Sequence, residues 1–102
     1  MNLKTELRDD VLYILFQGEL DEYSAGYTRD FLDNAFQKLN FSDVVLDLRD
    51  LEFMDSTGIG VLIGRYKYLR NKSKRIFISN ANSTIEKIIN MSGIYEIMPK
   101  IY

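Results

Sequence analysis

Val44-Val45-Leu46-Asp47-Leu48, then the polar stretch Arg49 to Asp55, then Ser56-Thr57-Gly58-Ile59-Gly60-Val61-Leu62-Ile63-Gly64-Arg65-Tyr66-Lys67-Tyr68-Leu69: this segment decides the fold. Its first piece is β-branched and leucine-rich, which reads as a buried strand. Arg49 to Asp55 reads as a loop. In the third piece Ile59, Leu62, Ile63, Tyr66 and Leu69 recur at helical spacing, so a helix opens at Ser56 or Thr57. A strand, a short connection and an amphipathic helix make half of a parallel crossover unit.

The pattern extends in both directions. Upstream, the first 17 residues break at Asp9-Asp10, which predicts two strands joined by a tight turn. Val11 to Phe16 is apolar on both faces and predicts a strand covered on both sides. Gly18-Glu19-Leu20-Asp21 ends it. From Ser24 to Leu39 the residues Tyr27, Phe31, Ala35 and Leu39 recur every four positions, widened by Leu32 and Phe36, which predicts a helix. Downstream, Ile76-Phe77-Ile78 is a third short buried strand. Ser83-Thr84-Ile85-Glu86 has the spacing of a capping box, opening a helix that carries Ile85, Ile88 and Ile89. Gly93 is placed to stop that helix in a left-handed cap, and the tail around Pro99 is a candidate edge strand. The expected architecture is α/β: one domain over residues 1–102 with a mostly parallel sheet of four to five strands, an antiparallel edge hairpin and three or more helices.

Composition narrows the chemistry. The 102 residues contain no cysteine and no histidine, which excludes disulfides, thiolate metal sites, cysteine nucleophiles and Ser-His-Asp hydrolysis. The net charge of −2 offers no basic excess for nucleic acid. The longest apolar run, Val11 to Phe16, is far short of the roughly 20 residues that span a bilayer, so no membrane partner is expected. The N-terminus carries no apolar secretory core, and a cytoplasmic location is expected. No apolar stripe remains beyond those the core uses, so a free monomer is expected.

The densest constellation runs from Asp47 to Gly60, at the carboxyl end of a predicted parallel strand, where open α/β sheets collect their sites. Plain helix capping by Asp55 or Ser56 explains it as readily as a functional site does. Asp47, Asp50, Glu52 and Asp55 could serve a hard cation, but an extended backbone scatters them over two faces, so no metal is expected. A phosphotransfer domain built on Asp47 and Asp50 is one alternative; a nucleotide-binding module is another, although no phosphate loop is present. Gly60 and Gly64 read as a thin helix face for close packing. Tyr27 and Tyr66 fit core stripes, whereas Tyr23 and Tyr68 fall outside them and are candidate partner contacts. The basic tail Arg65 to Lys72 complements its own helix dipole.

Phe53-Met54-Asp55-Ser56-Thr57-Gly58-Ile59-Gly60-Val61-Leu62-Ile63-Gly64-Arg65-Tyr66-Lys67 resembles the phosphorylation-site segment of the anti-sigma factor antagonists, single-domain STAS proteins. Gly18-Glu19-Leu20-Asp21 and Met91-Ser92-Gly93-Ile94 extend the resemblance over roughly residues 9 to 98, most strongly to the branch acting in the sporulation sigma-F switch. The resemblance implies a STAS fold and a non-enzymatic partner switch without a cofactor. The unmodified chain would bind an anti-sigma factor with serine kinase activity. Phosphorylation on Ser56 would inactivate it, and a metal-dependent serine phosphatase would restore it. Asp21, Asp55 and Thr57 would support the phosphosite, Thr57 standing where many members carry a second serine. Tyr23, Gly58, Ile59, Gly60 and Val61 would form the partner-binding face, with Val61 exposed because it lies off the main stripe. A stress-response or other partner-switching pathway is the variant within the family. The family's last amphipathic helix is expected to be absent or shortened.

Overall fold

The computed structural model describes residues 1–101; Tyr102 lies outside them. Strand β1 (Asn2–Arg8) and strand β2 (Val11–Leu20) form the predicted antiparallel hairpin. Asp9 and Asp10, both at positive φ, make its turn, a conformation that aspartate tolerates better than most residues. Helix α1 (Ala25–Lys38), strand β3 (Asp43–Met54), helix α2 (Ser56–Asn71), strand β4 (Arg75–Ser79) and helix α3 (Ser83–Ser92) follow. The sheet order is β1-β2-β3-β4, with β2-β3 and β3-β4 parallel. Gly93 caps α3 at φ 77°, as expected. The tail contributes one parallel bridge, Lys100 to Ile78, at the outer edge of β4.

One hydrophobic core lies on a single face of this sheet. It joins Leu12, Ile14 and Phe16 of β2, Val44, Leu46 and Leu48 of β3, and Ile76 and Ile78 of β4 to Leu32 and Phe36 of α1, Leu62 and Leu69 of α2, and Ile85 and Ile89 of α3. Each such side chain contributes about 1.5–3 kcal/mol on burial. The prediction that β2 is covered on both sides is corrected: Val11, Tyr13 and Leu15 look onto the helix-free face and are half-buried. Arginine side chains shield that face instead. Arg8 lies over the Tyr13 ring and Arg75 over Phe77, while Arg75 also pairs with Asp43.

Three further expectations change. Arg49 to Met54 is strand, because β2 continues to Leu20 and pairs with it through two irregularities around Gln17 and Gly18. The buried arc of α1 is centred on Thr28, Leu32 and Phe36, one residue round from the predicted stripe, leaving Tyr27 55% exposed. Helix α3 is capped by Asn82, not Ser83, and Glu86 turns away to Lys100 and Tyr95.

Candidate functional site

The carboxyl ends of β2 and β3 bring the β2–α1 loop against the start of α2. Asp55 holds the two together. Its backbone is extended, its Oδ1 accepts from the Gly58 N–H at 2.9 Å, and its Oδ2 accepts from the Glu22 N–H at 3.2 Å. Its own N–H donates to the Leu20 carbonyl at 3.3 Å. Asp55 therefore caps α2 and braces the neighbouring loop with one carboxylate. Ser56 follows as the first helical residue, exposed and relieved of capping, and its hydroxyl has no hydrogen-bond partner among the described residues. Thr57 is exposed beside it. The N–H groups of Ser56 and Thr57 likewise have no acceptor among the described residues, as expected for a first helical turn.

The β2–α1 loop is equally ordered. Asp21 Oδ1 accepts from the N–H groups of Tyr23 and Ser24, each at 3.0 Å, and the Asp21 carbonyl accepts from Ala25. The Ser24 hydroxyl donates to the Glu19 carbonyl at 2.7 Å and accepts from the Asp21 N–H at 3.0 Å. This lattice holds Tyr23 out into solvent, 89% exposed. Glu19, Asp21, Glu52, Tyr23 and Tyr27 line an open cavity of about 750 Å³. The expected site residues Asp21, Tyr23, Asp55, Ser56 and Thr57 thus lie in one neighbourhood.

Two expected contact residues do not offer a surface. Gly58 is buried, and a Cβ there would lie 2.5 Å from the Leu20 carbonyl oxygen and 2.9 Å from Met54. The glycine is what allows α2 to start against the end of β2. Val61 is only 7% exposed. It lies one turn before Arg65, whose Nε is 3.1 Å from Asp33 Oδ1 of α1, so Val61 faces α1 and not solvent. Ile59 is half-buried and Gly60 is exposed, and a Cβ at Gly60 or Gly64 would meet nothing within 4 Å. The thin face expected to pack closely is therefore bare. Tyr68, expected to be exposed, stacks on Phe36 at 6.4 Å.

The carboxylates considered for a cation or for phosphotransfer have separate duties. Asp47 accepts from the Arg49 N–H and from the Asn80 amide, and Asp50 accepts from the Gln17 amide. Among the described residues no helix is long and apolar enough to cross a membrane.

The STAS domain family model matches residues 2–102. The chain is a STAS domain. An anti-sigma F factor antagonist of Paenibacillus polymyxa is 37% identical over 97% of this chain and 86% of its own length. An anti-sigma-B factor antagonist of Staphylococcus epidermidis is 29% identical over 96% of this chain and 90% of its own. The solved structure of the Bacillus cell fate determinant SpoIIAA in its phosphorylated form superposes with a TM-score of 0.73 at 24% identity, covering 99% of this chain and 92% of that one. That likeness shows the shared STAS fold: a four-stranded mixed sheet with three helices.

Proposed function

We propose that this STAS domain is a phosphorylation-controlled anti-sigma factor antagonist. The unmodified form binds an anti-sigma factor that is also a serine kinase and so releases the sigma factor. Phosphorylation of Ser56 abolishes that binding, and a metal-dependent serine phosphatase reverses it. The chain acts as a binding regulator in the cytoplasm, not as an enzyme. The observation carrying this reading is a free, exposed serine hydroxyl at the first position of α2, its capping duty taken over by Asp55.

The physics of the modification favours a blocked surface over a refolded domain. A phosphate adds about −1.5 to −2 charges at pH 7. The start of α2 tolerates an anion, typically by about 0.3–1 kcal/mol, and the Ser56 and Thr57 N–H groups are free to donate to it. Asp55 and the acidic β2–α1 loop oppose it and keep it in solvent. Exposed Thr57 and Gly60, half-buried Ile59 and exposed Tyr23 form the contact surface around Ser56. Asp21 shapes that surface by fixing the loop that carries Tyr23. The greater identity to a sigma-F antagonist than to a sigma-B antagonist favours the sporulation-type switch. The test is direct binding of the cognate anti-sigma factor to both forms of the chain. Tight binding of the unmodified form with loss on Ser56 phosphorylation is expected; equal affinity of the two forms would overturn the reading.

A further inference from the structure

Strand β1 is an open edge of the sheet. All seven of its residues pair with β2, and its other side pairs with nothing among the described residues. Alternate N–H and C=O groups of β1 therefore point into solvent. Lys4 to Arg8 are all exposed. Leu7 lies on the core side of the strand, like Leu3, yet is 45% exposed where Leu3 is buried. Along the helix-free side stand Lys4, Glu6 and Arg8. Glu6 meets Arg8 at 3.2 Å with both side chains largely in solvent, whereas Lys4 has no carboxylate within 4 Å among the described residues.

Charged side chains on a strand edge ordinarily keep copies of a protein apart. Here they match their own mirror order. Laid antiparallel on a second copy about Thr5, β1 sets Lys4 opposite Glu6 twice and Leu3 opposite Leu7 twice, with Thr5 facing Thr5 on the axis. A slip of one residue would turn every side chain to the wrong face. A slip of two sets Lys4 opposite Lys4 in one direction, and Glu6 opposite Glu6 and Lys4 opposite Arg8 in the other. Like charges directly opposite are destabilising, so one register alone is favoured.

We propose that β1 is the interface of a two-fold homodimer, paired antiparallel with β1 of a second copy in the register centred on Thr5. The second copy satisfies the outward backbone groups, its Glu6 pairs with Lys4, and its Leu3 covers Leu7. The free monomer expected from the sequence follows from apolar stripes alone, and an open backbone edge needs none. The two-fold axis reverses the strand direction, so the two Ser56 ends point opposite ways and both stay free. The dimer does not depend on the phosphorylation reading.

Sedimentation velocity of the full chain, carried up to millimolar concentration, should show a reversible dimer. Lys4→Glu and Glu6→Lys each set like charges opposite at both pairs, and each should weaken the dimer at least about ten-fold. Both positions are exposed, so the fold is kept. The decisive sample is an equimolar mixture of the two variants, in which both pairs across the axis are again opposite in sign. A heterodimer close to wild-type strength is expected there, and the double variant Lys4→Glu/Glu6→Lys should recover likewise. A wild type that stays monomeric throughout, single variants that dimerise as tightly as wild type, or a mixture that stays monomeric would each overturn the proposal.

Discussion

The starts of α2 and α3 are near copies of each other. One reads Asp55-Ser56-Thr57-Gly58 and the other Asn82-Ser83-Thr84-Ile85. Both capping residues are extended, both accept from the N–H three residues on (2.9 Å at Gly58, 3.0 Å at Ile85), and both place an exposed serine at the first helical position. They differ in surroundings. The second arm of Asp55 reaches across to the β2–α1 loop at Glu22, whereas Asn82 uses its amide to donate to the Leu51 carbonyl. The fourth residue is a glycine pressed against Leu20 in one and a buried isoleucine in the other. A cap with a serine behind it is thus a common local solution. What sets the Ser56 end apart is the braced acidic loop and the bare glycine face beside it, the two features on which the proposed recognition of Ser56 rests.

Substitutions at these two helix starts sharpen that contrast. The largest effect is expected for Gly58→Ala, whose methyl collides with backbone: a loss of about 2–3 kcal/mol by urea unfolding, in line with overpacking costs. Gly60→Arg meets open space, so the domain should keep its melting temperature while the anti-sigma complex weakens by at least about 2 kcal/mol, a central-contact effect read by calorimetry. Asp55→Ala and Asn82→Ala should each lose about 1 kcal/mol of cap energy. Only the first should also slow phosphorylation, because only Asp55 ties the β2–α1 loop down; equal kinetics in both variants would show that the brace has no functional part.

The smallest effect concerns Glu86, in the first turn of α3, and its contacts with the tail. Hydrogen bonds from Lys100 and then Tyr95 lower the Glu86 pKa below its ordinary value of 4.5. A depressed carboxylate pKa stabilises the fold above the unfolded value, and the contribution is lost as pH falls through the folded value. The stability difference between wild type and Glu86→Gln should therefore be present at neutral pH and fade as the pH falls below 4.5 and on through the lowered folded value. A difference that persists in acid would mean that the hydrogen bonds, not the charge, hold the tail.

Much of this was legible in the sequence because it is local. The hairpin, the three helices, the Gly93 stop and the helix start at Ser56 each follow from periodicity or from one contiguous motif. What escaped depends on residues distant along the chain. Arg49 to Glu52 looks like a loop because three of its four residues are charged and exposed, and only pairing with the extension of β2 makes it strand. Val61 looks exposed on a single-stripe reading, but α2 is buried against both the sheet and α1, which widens the arc. The Ser-x-x-Glu pattern at Ser83 misleads because Asn82 caps equally well and Lys100 draws Glu86 away. The close approach of Gly58 to Leu20 has only the glycine itself as a signal.

The central claim is that Ser56, and not its local twin Ser83, is the acceptor. Peptide-level mass mapping after incubation with the cognate anti-sigma kinase and ATP tests it most directly. One phosphate on the peptide containing Ser56, none on the peptide containing Ser83, and no incorporation into Ser56→Ala is the predicted result. Stoichiometric labelling of Ser56→Ala, or comparable labelling at Ser83 or Thr57, would contradict it.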